Sequence, residues 1–306
     1  MENPKITVAV PILNEVDFIE QALDSLVRQT YKNIEVIIID GGSTDGTLEK
    51  LKKYNFQTHI IPGLGQMASI NKIWQGSFSK YVTWMAGDDE LYKNAFFDLV
   101  NLLETHPQAS FAHGPADIID GKNIFQFKRA AKNISTNDLL KSYCMLPQTG
   151  LIRRECLRFS GYTNPTLRFA ADHDLYLRLS FFGYGVAASN VIAKFRIHED
   201  SEDAKNFSNV GRQTTRIIDD IINSDLGREK LNTYQIKSAK AHSKIVCANF
   251  VICNSNRVEA FKNFVGAVYI LPEILIDPKC LKLLVRLILP FQIAPNFLRR
   301  LTRLSF

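Results

Sequence analysis

Two adjacent carboxylates, Asp88 and Asp89, are the residues of this chain best suited to chemistry. They follow the apolar run 81–85, which is typical of a buried strand, so we place them at the carboxyl edge of a sheet, where open α/β folds bind ligands. Neighbouring carboxylates repel each other unless a cation or hydrogen bonds intervene, and hard divalent cations take oxygen ligands and bridge to phosphates. The pair therefore predicts a metal–diphosphate site. The alternative is that Asp88 or Asp89 caps the helix expected near Lys93.

Polar side chains also follow two earlier predicted strands. The first, a β-branched run, ends at Pro11 and leads to Asn14 and Glu15, and the second, a continuous apolar run, ends in Asp40. Apolar residues recur at helical spacing between them, so the order predicts a parallel βαβ unit. Because the carboxyl ends of parallel strands meet at one edge, we expect these polar groups to converge with the acidic pair.

Several of these residues have a structural alternative. Asp40 can accept from the imide N–H of a uracil or thymine ring or contact ribose hydroxyls, or it can form a turn with the two glycines that follow it. Asn14 and Glu15 can line the nucleotide or start the next helix. Asp45 is expected to cap the helix after it rather than to touch a ligand.

The composition is that of a soluble globular protein, with 306 residues, 46% hydrophobic and 22% charged. A net charge of +6 and a pI near 9.0 suggest anionic partners such as nucleotide phosphates or lipids, and are too mild to indicate nucleic acid. The five cysteines match no metal-binding spacing and the N-terminus has no secretory pattern, so we expect reduced thiols and a cytoplasmic location. No apolar run reaches the roughly 20 residues that span a bilayer.

Beyond about residue 205 the mixed pattern gives way to helical periodicity. We therefore expect an α/β domain over residues 1–204 and a helical extension over 205–306. Residues 279–303 carry six basic and no acidic side chains between apolar ones, which is compatible with peripheral contact with the inner face of an anionic plasma membrane. Packing of this amphipathic segment against the α/β domain is the alternative.

Taken together, these stretches resemble the GT-A glycosyltransferases of family 2. The resemblance lies in four motifs in order, Val8-Ala-Val-Pro-Ile-Leu-Asn-Glu15, Ile39-Asp-Gly-Gly-Ser-Thr-Asp-Gly-Thr47, Trp84-Met-Ala-Gly-Asp-Asp89 and Ala171-Asp-His-Asp-Leu-Tyr-Leu-Arg178. It covers roughly residues 5 to 200 and leaves out the helical C-terminal third. It implies an α/β fold of GT-A type, a Rossmann-like mixed sheet flanked by helices, with residues 1–204 as the catalytic domain.

The resemblance also implies a nucleotide-diphosphosugar donor, a divalent cation (Mn²⁺ or Mg²⁺) and sugar transfer with inversion. Asp89 would ligate the metal directly, Asp88 would share the metal or reach the ribose, and His198 would be a further metal or diphosphate contact unless it is structural. The stretch 65–72 resembles the segment that precedes the metal motif in the family. The donor-binding residues that the resemblance implies are Pro11, Asn14, Glu15, Asp40, Gly65, Asn71 and Asp88.

Inversion requires one base on the face of the sugar opposite the leaving group, and Asp172 matches the family's position for that base. Relatives usually have Glu-Asp here, whereas Ala171 stands in place of the Glu in this chain. Asp174 is expected to complement the helix dipole instead.

The resemblance further suggests a UDP- or dTDP-sugar-like donor, a saccharide or lipid-linked acceptor and a role in cell-surface polysaccharide biosynthesis. Two other functions compete with this one. A sugar nucleotidyltransferase would have a glycine-rich N-terminal phosphate loop, and residues 8–14 contain no glycine. A non-catalytic binding module would not be expected to keep both Asp89 and Asp172.

Overall fold

The computed structural model of the protein describes residues 3–142, 150–198, 206–253 and 256–288. Within it the chain divides into two compact units. The first unit comprises Met1–Ser135, Leu146–Thr166 and Arg178–His198, and the second comprises Thr136–Met145, Leu167–Leu177 and Glu199–Phe306. The contiguous division between residues 204 and 205 stays a prediction.

The described strands belong to the first unit and form two sheets. They are β1 (Ile6–Ile12), β2 (Ile34–Asp40), β3 (Gln57–Ile60), β4 (Tyr81–Trp84), β5 (Glu90–Leu91), β6 (Ala109–His113), β7 (Ala116–Asp120), β8 (Phe125–Arg129), β9 (Leu151–Arg153), β10 (Tyr184–Ala187) and β11 (Ala193–Ile197). The larger sheet has the strand order β10-β6-β9-β4-β1-β2-β3, and the smaller sheet has the order β5-β11-β7-β8.

The centre of the larger sheet is parallel. β1 pairs in parallel with β2 and with β4, and β2 pairs in parallel with β3, so these four strands end at the same edge. At that edge Ile12 lies opposite Asp40. β9 runs antiparallel to β4 and to β6, which makes the sheet mixed. The predicted parallel βαβ unit and the predicted mixed sheet are both confirmed.

The described helices occur in both units. They are α1 (Ile19–Val27), α2 (Thr47–Leu51), α3 (Gln66–Gly76), α4 (Ala95–Thr105), α5 (Thr136–Lys141), α6 (Arg154–Ser160), α7 (Ala171–Ser180), α8 (Phe207–Asn223), α9 (Asp225–Lys230), α10 (Thr233–Cys253), α11 (Arg257–Ile270), a 3-10 helix (Pro272–Ile276) and α12 (Pro278–Ile288). On α1, Ile19, Leu23 and Leu26 recur at helical spacing and are fully buried in the core that contains β1. Full burial of one such side chain stabilises the fold by about 1.5–3 kcal/mol.

The second unit is a helical assembly with its own apolar cluster, to which α10, α11 and α12 contribute. A close crossing of α8 and α10 depends on Gly211, because an added Cβ there would lie 2.7 Å from Cβ of Phe250 and 3.1 Å from Cα of Cys247. None of the helices in the described ranges is both long enough and apolar enough to cross a bilayer.

The sequence periodicity over 229–253 predicts helical structure, which is confirmed except for a break at 231–232. The structure has two helices, α9 and α10, with Leu231 extended between them. Asn232 Oδ1 accepts from Gln235 N at 2.9 Å while Gln235 Oε1 accepts from Asn232 N at 3.0 Å. This reciprocal pair is a capping box, so it starts a new helix at Thr233. The sequence of residues 146–152 also predicts a strand; the structure has β9 at Leu151–Arg153, and residues 146–149 lie outside the described ranges.

Candidate active site

The loops that follow β1 and β2 are hydrogen-bonded to each other. Asn14 adopts a left-handed φ of 57°, and its Oδ1 accepts from Thr44 N at 2.9 Å. Asn14 N donates to Ser43 Oγ at 2.8 Å, and Val16 N donates to Asp45 Oδ2 at 3.0 Å. The two loops therefore form one continuous border along the carboxyl edge of the larger sheet.

Asp40 is a fully buried carboxylate whose hydrogen bonds stay within its own loop. Its Oδ1 accepts from the main-chain N of Gly42 and of Ser43, both at 2.8 Å, and its Oδ2 accepts from Ser43 Oγ at 2.5 Å. Gly42 has a φ of +102°, which favours glycine. These are the contacts of the turn alternative, and binding of a base or ribose by Asp40 stays a prediction.

Two neighbouring residues also have structural partners. Pro11 is buried in β1 opposite Ile39 of β2. Asp45 Oδ1 accepts from Thr47 N at 2.9 Å and from Thr47 Oγ1 at 2.6 Å at the first residue of α2. Asp45 thus closes the start of this helix, as expected, although the capping position itself is Gly46.

Glu15 lies against the loop that carries the acidic pair. An added Cβ on Gly87 would meet Glu15 Cγ at 2.8 Å, so the close approach requires glycine. Burial, and after it the charge of Asp88, raises the pKa of Glu15 to about 8. Its main-chain carbonyl accepts from Ile19 N at 2.9 Å in the turn into α1, so Glu15 also takes part in the helix start.

Asp89 accepts a hydrogen bond from β11, and Asp88 contacts His198, the residue that follows this strand. Asp88 Oδ2 lies 3.2 Å from His198 Nε2, and Asp89 Oδ1 accepts from Arg196 N at 3.0 Å. Asp89 is only 2% exposed. Burial raises the pKa of both carboxyls, and the charge of Asp88 raises that of Asp89 further. The helix-cap alternative is wrong for both, because the N-cap of α4 is Asn94.

Three basic side chains at alternate positions of 194–198 face this acidic loop. Lys194 Nζ lies 3.1 Å from Glu90 Oε2, and Arg196 Nη2 lies 3.3 Å from Glu90 Oε1. His198 is the third, through its contact with Asp88. Of these three basic residues, only His198 is among those predicted from the sequence. The missed signal was the period-two alternation of basic residues, which places them on one face of a strand.

Gly65 and Asn71 both belong to α3 or its start. Gly65 has a φ of +76°, and its carbonyl accepts from Ser69 N at 3.0 Å and from Ser69 Oγ at 2.8 Å. Asn71 Oδ1 accepts from Thr163 N at 3.0 Å and from Thr163 Oγ1 at 2.7 Å, while its Nδ2 donates to Thr163 O at 2.8 Å. Asn71 therefore fastens residue 163 to α3, and its role towards a donor stays a prediction.

Asp172 lies in the part of α7 that belongs to the second unit. Its side chain is half-buried in the first turn of the helix, where Asp174 is buried and donates through its main-chain N to Ala170 O at 3.1 Å. Ala170 has a φ of 52°, which is uncommon for a residue with a Cβ. Such backbone strain concentrates at functional sites. The role of Asp172 as a base stays a prediction.

The chemistry of the acidic loop fits a hard divalent cation that is only partly held by protein. In the ranges that the structure describes, no group of three or more His, Cys, Asp and Glu has the arrangement of a complete metal site. Cations of the Mg²⁺ type are commonly held by one or two carboxylates and complete their shell with water and substrate phosphates. The carboxylates of Asp88 and Asp89 have the chemistry of such a partial set, and their role as metal ligands stays a prediction.

The sequence is similar to a protein family and to several glycosyltransferases. The model of the family described as glycosyl transferase family 2 matches residues 7–163. Glycosyltransferase GlyA of Streptococcus pneumoniae is 27% identical over 213 residues, which is 60% of this chain and 30% of GlyA. The putative teichuronic acid biosynthesis glycosyltransferase TuaG of Bacillus subtilis is 26% identical over 208 residues, which is 65% of this chain and 81% of TuaG. The chain thus spans less than a third of GlyA.

Two solved structures share the architecture. S. aureus TarS 1-349 in complex with UDP-GlcNAc aligns with a TM-score of 0.63 at 18% identity, covering 88% of this chain and 82% of that one. Mannosyltransferase PcManGT from Pyrobaculum calidifontis, in complex with GDP-Man and Mn²⁺, aligns with a TM-score of 0.63 at 15% identity, covering 94% and 85%. The predicted GT-A fold is thereby confirmed. Because the family model covers more than half of the chain, including the loops at the ends of β1, β2 and β4, the chain belongs to glycosyl transferase family 2.

Proposed function

We propose that this glycosyltransferase moves a sugar from a nucleotide-diphosphosugar donor to a saccharide or lipid-linked acceptor, with inversion and with the help of a divalent cation. The observation that carries the proposal is the convergence of Glu15, Asp88, Asp89 and His198 at the carboxyl edge of the central parallel strands. This edge is where open α/β folds bind nucleotides. TarS and PcManGT, with UDP-GlcNAc and with GDP-Man respectively in the same fold, support a nucleotide-sugar donor.

On this proposal the metal would be held by Asp89 and Asp88, with His198 beside them. When bound, it supplies positive charge that neutralises the departing nucleotide diphosphate. The protein holds Asp88 from one side through His198 and Asp89 from the other through Arg196 N, so both carboxylates are oriented before a ligand arrives. The complex of PcManGT with Mn²⁺ supports Mn²⁺ as the first cation to test.

The donor's nucleotide would lie along the border formed by the loops after β1 and β2. Pro11, Asn14 and Glu15 would line it through main-chain and side-chain groups, and Asp40 would face the base or ribose. Gly65 and Asn71 would bound the site from the start of α3. The uracil or thymine ring of a UDP- or dTDP-sugar carries an imide N–H from which the Asp40 carboxylate can accept. The guanine ring of a GDP-sugar does not carry this imide group.

Asp172 would remove the proton of the acceptor hydroxyl as that hydroxyl attacks the anomeric carbon. Asp172 and His198 lie beyond the residues that the family model matches, so their roles rest on motif position and on the geometry of each residue's own surroundings. The name of TuaG, a putative teichuronic acid biosynthesis glycosyltransferase, supports a role in cell-surface polysaccharide biosynthesis. The location proposed for this role is the cytoplasmic face of the membrane.

A thermal-shift screen tests the donor and the metal together. We would measure the unfolding temperature of the full chain with UDP-, dTDP- and GDP-sugars, each with Mn²⁺, with Mg²⁺ or with EDTA. A ligand at 100 times its Kd stabilises the native state by about 2.7 kcal/mol. We expect one nucleotide class to stabilise, and the effect to disappear with EDTA and in Asp89→Asn but not in the control Asp98→Asn, on α4. If no nucleotide sugar shifts the transition under any of these conditions, the proposal fails.

Contact with an anionic membrane is proposed for the region that begins at α12. Leu281, Val285 and Ile288 recur on one face of this helix with 49%, 42% and 70% of their surface exposed. Residues 289–303, the rest of the predicted basic segment, lie outside the described ranges. Exposed apolar side chains with basic residues close by are the pattern of helices that lie in a membrane interface.

Vesicle flotation tests this contact. We expect the protein to float with vesicles that contain phosphatidylglycerol and not with pure phosphatidylcholine. Val285→Glu should abolish flotation, whereas Val27→Glu, at an exposed valine on α1, should not. Equal flotation of both variants would argue for the packing alternative.

A further inference from the structure

Arg196 is a buried arginine in β11 beneath the acidic loop, with 1% of its surface exposed. It contacts both members of the acidic pair. Its main-chain N donates to Asp89 Oδ1 at 3.0 Å, and its Nε donates to Asp88 O at 2.8 Å. Neither bond places the guanidinium on a carboxylate of the pair. The main-chain bond therefore orients the carboxylate of Asp89, and the side-chain bond fixes the main chain at Asp88.

Nη2 of the guanidinium lies 3.3 Å from Oε1 of Glu90, the residue after the acidic pair, and the remaining contacts are to parts of the protein outside the acidic loop. Nη1 donates to Asp120 O at 3.2 Å and to Asn123 Oδ1 at 2.6 Å, in the turn between β7 and β8. Nη2 donates to Gln21 Oε1 on α1 at 2.9 Å. Because these partners come from other elements, the guanidinium ties the main chain at Asp88 to fixed points in the first unit.

One aromatic ring supports both Arg196 and His198. The ring of Phe18 lies 4.6 Å from the guanidinium carbon and 5.0 Å from the centre of the His198 ring. A cation over an aromatic face is attracted by the ring quadrupole, most strongly where water is excluded. Phe18 thus holds Arg196 in register with the histidine that contacts Asp88.

We propose that Arg196 is a positioning residue that fixes the Asp88–Asp89 loop in the geometry needed to hold the cation and the donor diphosphate. This inference rests on the proposed function and deepens it. A lysine at position 196 would keep the positive charge but could not make the same set of hydrogen bonds, because only a guanidinium presents several donors in a fixed plane. Removal of a residue that orients metal ligands typically costs about 10–100-fold in metal affinity.

The test compares Arg196→Lys with Arg153→Lys. Arg153 is a matched control, since it is also buried, donates to the carbonyls of Ala109 and Leu103, and lies 5.7 Å from the ring of Tyr81. Hydrogen exchange of the peptide 86–91 in metal-free protein reports on the order of the loop. Calorimetry gives the Mn²⁺ concentration for half-maximal UDP binding.

We expect Arg196→Lys to speed exchange in 86–91 by about tenfold or more and to raise the Mn²⁺ half-saturation by about 10–100-fold, with smaller changes in Arg153→Lys. If the two variants had the same exchange rate in 86–91 and the same Mn²⁺ half-saturation, the inference would be overturned. If the unmodified protein shows no Mn²⁺- or Mg²⁺-dependent binding of UDP, dTDP or GDP, the proposed function fails, while the exchange comparison still decides the role of Arg196.

A second variant keeps the test decisive if Arg196→Lys does not fold. Asn123 has a φ of 63°, so Asn123→Gly suits the backbone while it removes one anchor of the guanidinium. Combined with Gln21→Ala, which removes another, it should speed exchange in 86–91 by a few-fold. Unchanged exchange in this double variant would overturn the inference.

Discussion

Gly87→Ala is the sharpest probe of the candidate site. The two loops on which the proposed function depends pack so closely at this residue that a single added methyl group would push them apart. An added Cβ at this position would lie 2.8 Å from Cγ and 3.2 Å from Cβ of Glu15, and 3.1 Å from Cγ2 of Ile12. Cβ of Glu15 is fixed by the main chain and Ile12 is part of β1, so neither is the free end of a flexible side chain. The methyl group must displace either Glu15 or the loop that leads to Asp88.

The magnitude follows from the cost of overpacking. An extra methyl group in a well-packed site typically costs about 1–3 kcal/mol. If the empty protein keeps its loop geometry, the cost lowers the free energy of unfolding by that amount. If the loop moves to relieve the strain, donor binding must restore it, and the same energy appears as about a 5- to 150-fold loss of affinity. The two measured losses together should therefore account for the strain.

The assay pairs urea unfolding with calorimetric titration of the best nucleotide and Mn²⁺. Gly76→Ala is the matched control, since nothing lies within 4 Å of its added Cβ and the residue is in α3. This control should be neutral or slightly stabilising, because alanine is the better helix former. If Gly87→Ala matched Gly76→Ala in both stability and affinity, the close packing of Glu15 on residue 87 could not be what shapes the site.

Three other substitutions test separate parts of the account. Asp172→Asn should leave donor affinity within about threefold and slow sugar transfer by about 10²-fold or more, and substantial residual turnover would place the base elsewhere. Asn71→Ala removes three hydrogen bonds to Thr163 and should lower the free energy of unfolding by about 1–3 kcal/mol, and an unchanged urea midpoint would contradict this role. Burial lowers the pKa of His113 from 6.5 to about 4. Below pH 6.5 the unfolded chain takes up a proton that the folded protein does not, so the free energy of unfolding should fall by about 3 kcal/mol between pH 6.5 and pH 4 and be unaffected by this group above pH 6.5. His113→Gln should flatten urea stability over that pH range, and an equal pH slope in the variant would count against it.

The parts of the fold that could be predicted are those that a local pattern determines. β2 is a continuous apolar run and β1 is β-branched, so both strands and their parallel pairing follow from the sequence. The break before α10 was missed because a capping box at Asn232 and Gln235 is a hydrogen-bond pattern that hydrophobic periodicity does not register.

At the candidate site, residue type alone could not separate ligand-facing groups from structural ones. Asn71 and Asn14 are motif residues, yet in the structure their amide oxygens accept from Thr163 and from Thr44. Those partners are 92 and 30 residues away along the chain, so tertiary folding alone brings them together. Arg196 was missed for the same reason, because its partners lie on α1, on the turn after β7 and in the acidic loop.

Asp40, at the end of β2, and Asp89, in the loop after β4, are both buried carboxylates. They differ in the number of hydrogen bonds that they accept, and this difference predicts how the stability of the protein changes when each is neutralised. Asp40 accepts three hydrogen bonds from its own loop, whereas Asp89 accepts one within the described ranges, from Arg196 N. A buried charge with few donors costs stability, and proteins tolerate such sites where function requires them. Asp89→Asn keeps an oxygen for Arg196 N and removes the charge, so the ligand-free protein should become more stable by about 0.5–2 kcal/mol while metal-dependent donor binding is lost. Asp40→Asn should instead lower the free energy of unfolding, because the amide NH₂ of Asn would face the N–H and O–H groups of Gly42 and Ser43, which are donors themselves. A decrease in urea stability for Asp89→Asn equal to that for Asp40→Asn would show that Asp89 is a structural carboxylate as well.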